Sequence, residues 1–131
     1  MRLTAALLQE IVDAARAALP NEAVGLLVGR DGAERYVAIR NASASPYRYS
    51  IDEAEQLAVW TKLEDAGESV IAIAHSHVAS PAEPSKTDVE LAYFPESLYL
   101  VCSLANPEQP DIRAWSIVDG AVSEVELLVA P

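Results

Sequence analysis

An intramolecular disulfide is excluded from the start: the 131 residues contain a single cysteine, Cys102, which has no partner within the chain. The cystine-stapled scaffolds of small secreted proteins therefore do not apply, and a reducing compartment, the cytoplasm, is the expected setting. Cys102 lies in the apolar stretch 98–104 with no basic residue beside it, so it reads as a small buried hydrophobe rather than a thiolate nucleophile. Positive charge is scarce as well. Nine Lys and Arg against twenty Asp and Glu give a net charge of −11, which repels phosphate backbones and argues against nucleic acid as a partner. No run of about 18 apolar residues occurs, so no membrane-spanning helix is expected. The first apolar segment is interrupted by Glu10 and Asp13 and lacks the basic start and cleavage site of a secretory leader. There is no internal repeat or low-complexity tract. What is present is apolar: 51% of residues are hydrophobic, enough for one domain spanning 1–131 to bury a core without cross-links.

Leu7, Leu8, Ile11, Val12, Ala15 and Leu19 recur at helical spacing, with Thr4 able to cap the start and Pro20 to stop it, which predicts an amphipathic helix over 4–19. Two β-prone runs, 24–30 and 34–40, flank Asp31-Gly32, a pair that tolerates positive φ, and predict a tight antiparallel hairpin. Residues 41–51 are polar and broken by Pro46; they read as an ordered loop in which Tyr47, Arg48 and Tyr49 either meet substrate or pack on the domain. A second helix is expected from about 52 to 66, with Leu57, Val59, Trp60 and Leu63 on its apolar side. Beyond Gly67, the run 70–75 reads as a buried strand. Two prolines exclude helix from 78–84, while 85–94 predicts a short helix capped by Ser85. Strands are expected at 98–104, 112–118 and 122–129, the last two joined at Asp119-Gly120. Trp60 and Trp115 are expected core anchors. Consecutive strands near both ends argue against strict βαβα alternation, so the fold class is α/β: one compact domain with a mixed, largely antiparallel sheet flanked by helices.

Both histidines of the chain fall in His75-Ser76-His77, where the strand 70–75 delivers its last residues. Residues two apart in a strand project from the same face, so His75 and His77 can converge on one ion while Ser76 points away. Ser85 and Asp88 lie three apart and share one face of a helix, which lets Asp88 add a carboxylate oxygen. Two imidazoles and a carboxylate suit zinc, and a catalytic zinc keeps a fourth position for water whose pKa falls to about 7. Each piece has a plainer reading. Ser85 to Asp88 alone is a common helix-capping box, an isolated His-x-His has core or surface roles, and most glutamates are simply solvated. Together, the pieces share a spacing that points to a metal site. Such a water needs a base, and spacing alone does not choose among the acidic residues.

Asn21-Glu22-Ala23-Val24-Gly25-Leu26-Leu27, then His75-Ser76-His77, then Ser85-Lys86-Thr87-Asp88 resembles the JAMM (MPN-plus) metalloproteases: a glutamate before a glycine-containing strand, H-S/T-H, seven residues, S-x-x-D. The resemblance implies the JAMM/MPN (cytidine-deaminase-like) architecture. It implies His75, His77 and Asp88 as ligands of one Zn²⁺ per chain, Glu22 as the base that activates water, and Ser85 as a hydrogen-bond donor to the oxyanion. The implied reaction is peptide or isopeptide hydrolysis. Tyr47-Arg48, residues 55–60, 84–88 and 117–122 are similar in particular to the short prokaryotic branch of the family, which implies as partner a ubiquitin-like β-grasp sulfur-carrier protein, cut at its C-terminal tail to release cysteine. Two alternatives remain at this point. One is a non-catalytic MPN-type scaffold for protein partners; the other is the same zinc chemistry on a different ubiquitin-like modifier or a small-molecule amide.

Overall fold

A computed structural model describes residues 1–131. The chain begins with a three-residue strand, β1 (Arg2–Thr4), and turns directly into α1 (Ala5–Ala18). Thr4 is extended and its hydroxyl accepts the Leu7 N–H at 3.1 Å, satisfying one of the free donors of the first turn. Leu7, Ile11 and Ala15 form the buried stripe of α1, which is the apolar periodicity of the sequence realised. Then come β2 (Val24–Gly29), β3 (Arg35–Ile39), α2 (Glu53–Asp65), β4 (Ser69–His77), α3 (Lys86–Glu90), β5 (Leu98–Ser103), β6 (Asp111–Val118), β7 (Ala121–Val125) and β8 (Leu128–Ala130).

Six strands form one sheet in the order β3-β2-β4-β5-β6-β7, and β1 pairs with β8 in a separate parallel ribbon. Within the large sheet only β4 and β5 run parallel; every other neighbour is antiparallel. The sheet is therefore mixed and largely antiparallel. Its centre is buried on both faces, and so β2 and residues 70–74 of β4 read as near-continuous apolar runs. On one face α1 packs against Leu27, Ala72, Ala74, Leu100 and Cys102. On the other, Val24, Leu26, Val28, Ile73, Tyr99 and Ile117 pack with Leu63 of α2. Gly25 is demanded by a close approach: a Cβ there would run into the ring of Tyr36 on β3.

Several elements depart from the sequence-based expectation. The 30–34 connection is longer than a two-residue hairpin, with positive φ at Gly32 alone, whereas Asp119 and Gly120 both take positive φ and join β6 to β7 in two residues as expected. The stretch 122–129 is two strands, not one, because its last residues leave β6 to pair with β1. β1 itself was not expected; three residues carry no period, and its partner lies at the other end of the chain. The helix after Ser85 ends at Glu90, not 94. On α2, Leu57 is 70% exposed, and only Leu63 is fully buried. Trp60 stays half-buried, stacked on Phe94 with ring centroids 5.4 Å apart. Half-buried Trp115 donates its indole N–H to the Ala82 carbonyl at 2.9 Å.

Candidate metal centre

Register brings the site together. β2 and β4 are antiparallel with Val24 opposite His75, so continuing the pairing backwards from Val24 carries Glu22 alongside His77. Ser76 secures that continuation from the opposite face of the strand. Its N–H donates to the Ala23 carbonyl at 3.0 Å, and its hydroxyl accepts the Ala23 N–H at 2.7 Å. On the other side of β4, the crossover to parallel β5 carries α3 over the end of the sheet. There Asp88, on the first turn of α3, faces the two imidazoles.

His75 Nε2 and His77 Nε2 lie 3.3 Å apart, and Asp88 Oδ2 is 3.1 Å from the first and 2.9 Å from the second. All three side chains are buried. His77 Nδ1 donates to the Pro81 carbonyl at 2.7 Å; that bond places an N–H at Nδ1 and turns Nε2 towards Asp88. The edge of a tetrahedron with metal–ligand bonds of about 2.0–2.1 Å is about 3.3 Å, so the three atoms already stand at the separations that one small divalent cation requires. Asp88 Oδ2 also takes the Ser85 N–H at 2.9 Å, while Glu22 Oε1 is buried with no hydrogen-bond partner. Buried polar atoms are seldom left so, and the donor set fits a metal ion. The ring of Tyr49 lies over His75, centroids 4.6 Å apart, and closes that side to water.

Charge follows from the same contacts. Burial opposes ionisation of Asp88, but hydrogen bonds from His75 and His77 and the Ser85 N–H outweigh it and hold the carboxyl well below the usual carboxylate range. Burial opposes protonation of His77, and the Asp88 hydrogen bond, with the Pro81 carbonyl, raises its pKa nevertheless. At Glu22, burial dominates. It pushes the pKa up to about 7, with His77 pulling down and Asp88 pushing up. Glu22 is 3% exposed, although it sits in a connection where a solvated glutamate is the ordinary expectation.

Glu22, His77 and Ser85 share the wall of one cavity of about 380 Å³ with Pro46, Tyr47 and Ser80. Ser85 has two duties here. Its hydroxyl oxygen accepts the Asp88 N–H at 3.0 Å, completing a capping box with the bond from its own N–H to Asp88, and its hydroxyl hydrogen remains able to donate. The structural and the chemical readings of Ser85 are therefore compatible. The loop 41–51 is closed by its own hydrogen bonds and places Tyr49 on the site and Tyr47 at the cavity rim. Cys102 is buried on the α1 face, its thiol pushed up to about 11 chiefly by burial, consistent with an inert core residue. Nothing in the sequence marks the Pro81 carbonyl or Asn41, whose side chain reaches the backbone of Glu22. A backbone acceptor has no residue signature, and Asn41 is one polar residue in a polar loop.

The order of this mixed sheet and its helices is the fold of the JAMM/MPN class of proteins. Residues 4–118 match the family described as prokaryotic homologs of the JAB domain, and the chain belongs to that family. It is 43% identical over 125 residues to the CysO-cysteine peptidase of Mycobacterium tuberculosis, covering 93% of this chain and 86% of that one. It is 35% identical over 88 residues to the desampylase of Haloferax volcanii, covering 64% and 63%. A solution structure of a protein from Desulfitobacterium hafniense superposes with a TM-score of 0.87 at 39% identity, over 98% of this chain and 92% of that one. The protein is thus a hydrolase of the peptidase type, which sets aside the non-catalytic scaffold.

Proposed function

We propose that the protein is a zinc peptidase that hydrolyses the amide bond at the C-terminal tail of a ubiquitin-like β-grasp sulfur-carrier protein, releasing cysteine from a carrier-cysteine adduct. The observation that carries this reading is the convergence of His75, His77 and Asp88 on one point, their ligand atoms no more than 3.3 Å apart, beside a cavity lined by Glu22 and Ser85. The 43% identity to a peptidase named for CysO-cysteine supports the choice of substrate.

His75, His77 and Asp88 would hold the ion. A bound zinc supplies Lewis-acid polarisation of the scissile carbonyl and a water acidic enough to ionise near neutrality. Glu22 takes a proton from the attacking water and delivers one to the departing amine as the carbon–nitrogen bond breaks, so the water divides between the new carboxylate and the amine. A pKa close to 7 suits a group that must both accept and return a proton. Ser85 donates its hydroxyl hydrogen to the oxyanion as charge develops there.

Incubating the zinc-loaded protein with a carrier-cysteine adduct and reading intact mass should show loss of one cysteinyl residue. Glu22→Gln should keep stoichiometric zinc while turnover falls by about 10²–10⁴-fold. An adduct whose mass stays constant under the wild-type enzyme ends the substrate assignment. Cleavage of a different ubiquitin-like conjugate in the same assay would move the substrate to that class.

A further inference from the structure

We infer that Asn41 is a positioning residue for Glu22, holding the backbone of the base to the loop that borders the cavity; this rests on the reading of Glu22 as the base. Glu22 precedes β2, and although Ala23 beside it is bonded to Ser76 of β4, its own N–H and carbonyl find no partner in the sheet. Both of its polar main-chain groups bond to the 41–50 loop. Its N–H donates to the Ser45 carbonyl at 2.9 Å, and its carbonyl accepts Asn41 Nδ2 at 3.0 Å.

Asn41 in turn holds that loop in shape. Its Nδ2 also donates to the Arg48 carbonyl at 3.0 Å, while its Oδ1 accepts the N–H groups of Ser43 at 3.0 Å and Ser50 at 3.1 Å. An asparagine amide has two N–H donors and one oxygen with two lone pairs, and all four are used. The loop is closed again beside it by the Ala42 N–H to the Ser50 carbonyl at 2.9 Å and by the Ser43 and Ser50 hydroxyls at 2.7 Å. One side chain therefore couples the base, through Glu22, to the segment that carries Tyr47 to the cavity rim and Tyr49 to the His75 ring. The two halves of the amide do different work. The oxygen shapes the loop, and the nitrogen ties the loop to Glu22.

Asn41→Asp separates them. An aspartate keeps an acceptor for Ser43 and Ser50 but turns a second carboxylate oxygen towards the Glu22 and Arg48 carbonyls, replacing two attractions by repulsion. The expected result is a fall in kcat of about 10- to 100-fold, the range seen when groups that orient a site residue are lost. KM should stay within about threefold and zinc should remain stoichiometric. Because the two residues act as one unit, adding Asn41→Asp to Glu22→Gln should cost less than about twofold more. In the metal-free protein, amide exchange at Glu22 should accelerate at least tenfold in Asn41→Asp, with β4 amides unchanged. Wild-type protein supplies a reading that needs no variant: the Glu22 amide should be protected against exchange, and an unprotected one overturns the tie. Asn41→Asp turning over like wild type while Glu22→Gln is impaired overturns this inference alone, as does a raised KM with unchanged kcat. Wild-type turnover in Glu22→Gln overturns the assigned base and this inference with it.

Discussion

At Glu22 the cost of taking a carboxylate out of water exceeds the attraction of His77, and Asp88 adds repulsion, so the group titrates near 7 in the metal-free fold instead of 4.5. Between those values the folded chain holds a proton that the unfolded chain has released. Stability therefore falls as pH rises through that window, by roughly 3 kcal/mol in all at about 1.4 kcal/mol per tenfold change. His77 acts in the same direction: its raised pKa contributes stability that is present at low pH and lost as pH rises through the folded value. Asp88 acts oppositely, with stability present above its unfolded pKa and lost in strong acid. The Tm of metal-free protein should decline from about pH 5 to about pH 8, and Glu22→Gln should flatten the decline. A Tm that rises across that interval would contradict the assignment. Ser85 is tested by a pair of variants. Ser85→Ala should lower kcat by about 10²-fold, as loss of one oxyanion donor does, and cost about 1 kcal/mol of stability by leaving the Asp88 N–H uncapped. Ser85→Thr keeps a hydroxyl at the cap, and its kcat and urea midpoint should stay near wild type.

Among the elements, α3 and β2 show how local structure serves the chemistry. α3 has only five residues, too few to be stable alone, and it stands because the Ser85–Asp88 capping box and the contacts of Asp88 with the imidazoles hold its first turn. β2 needs Gly25 because Tyr36 of β3 lies across it. Gly25→Ala should push the Tyr36 ring out of place and cost about 1–3 kcal/mol, as overpacking does. It should also perturb the lead-in to β2 that holds Glu22, so chemical denaturation and zinc-loaded turnover should fall together. A variant matching wild type in both would show that β3 yields without strain. The element pattern was legible wherever periodicity was long: α1, β2, β4 and the two-residue turn at Asp119-Gly120 all lie where spacing and turn chemistry placed them. It was not legible at Leu57, whose apolar side chain faces solvent because α2 buries little besides Leu63. Nor was it legible in 122–129, where a distant β1 competes for the last residues.

Across the whole molecule, the metal and the fold should stabilise each other. The three residues that could hold a metal ion come from two different elements, β4 and the crossover helix, and meet only in the folded chain, so zinc at a hundredfold over its Kd should add about 2.7 kcal/mol to stability. Thermal unfolding with zinc and with a chelator should differ accordingly, and Asp88→Ala should abolish the difference along with activity. Equal Tm values for the wild type in the two conditions would mean that the three side chains do not bind the ion. The grouping of His75 with His77 on one strand face and of Ser85 with Asp88 on one helical turn was written in the sequence, because they lie two and three apart, separations that local geometry converts directly into shared faces. The sequence likewise determined the α/β class through its mixture of helical and strand periods. Tertiary structure alone decided that Glu22 is buried beside His77, that Pro81 orients that imidazole and that Asn41 clasps the loop to Glu22. Those contacts depend on strand register and crossover path, which join residues far apart in the chain and leave no period in the residues they unite.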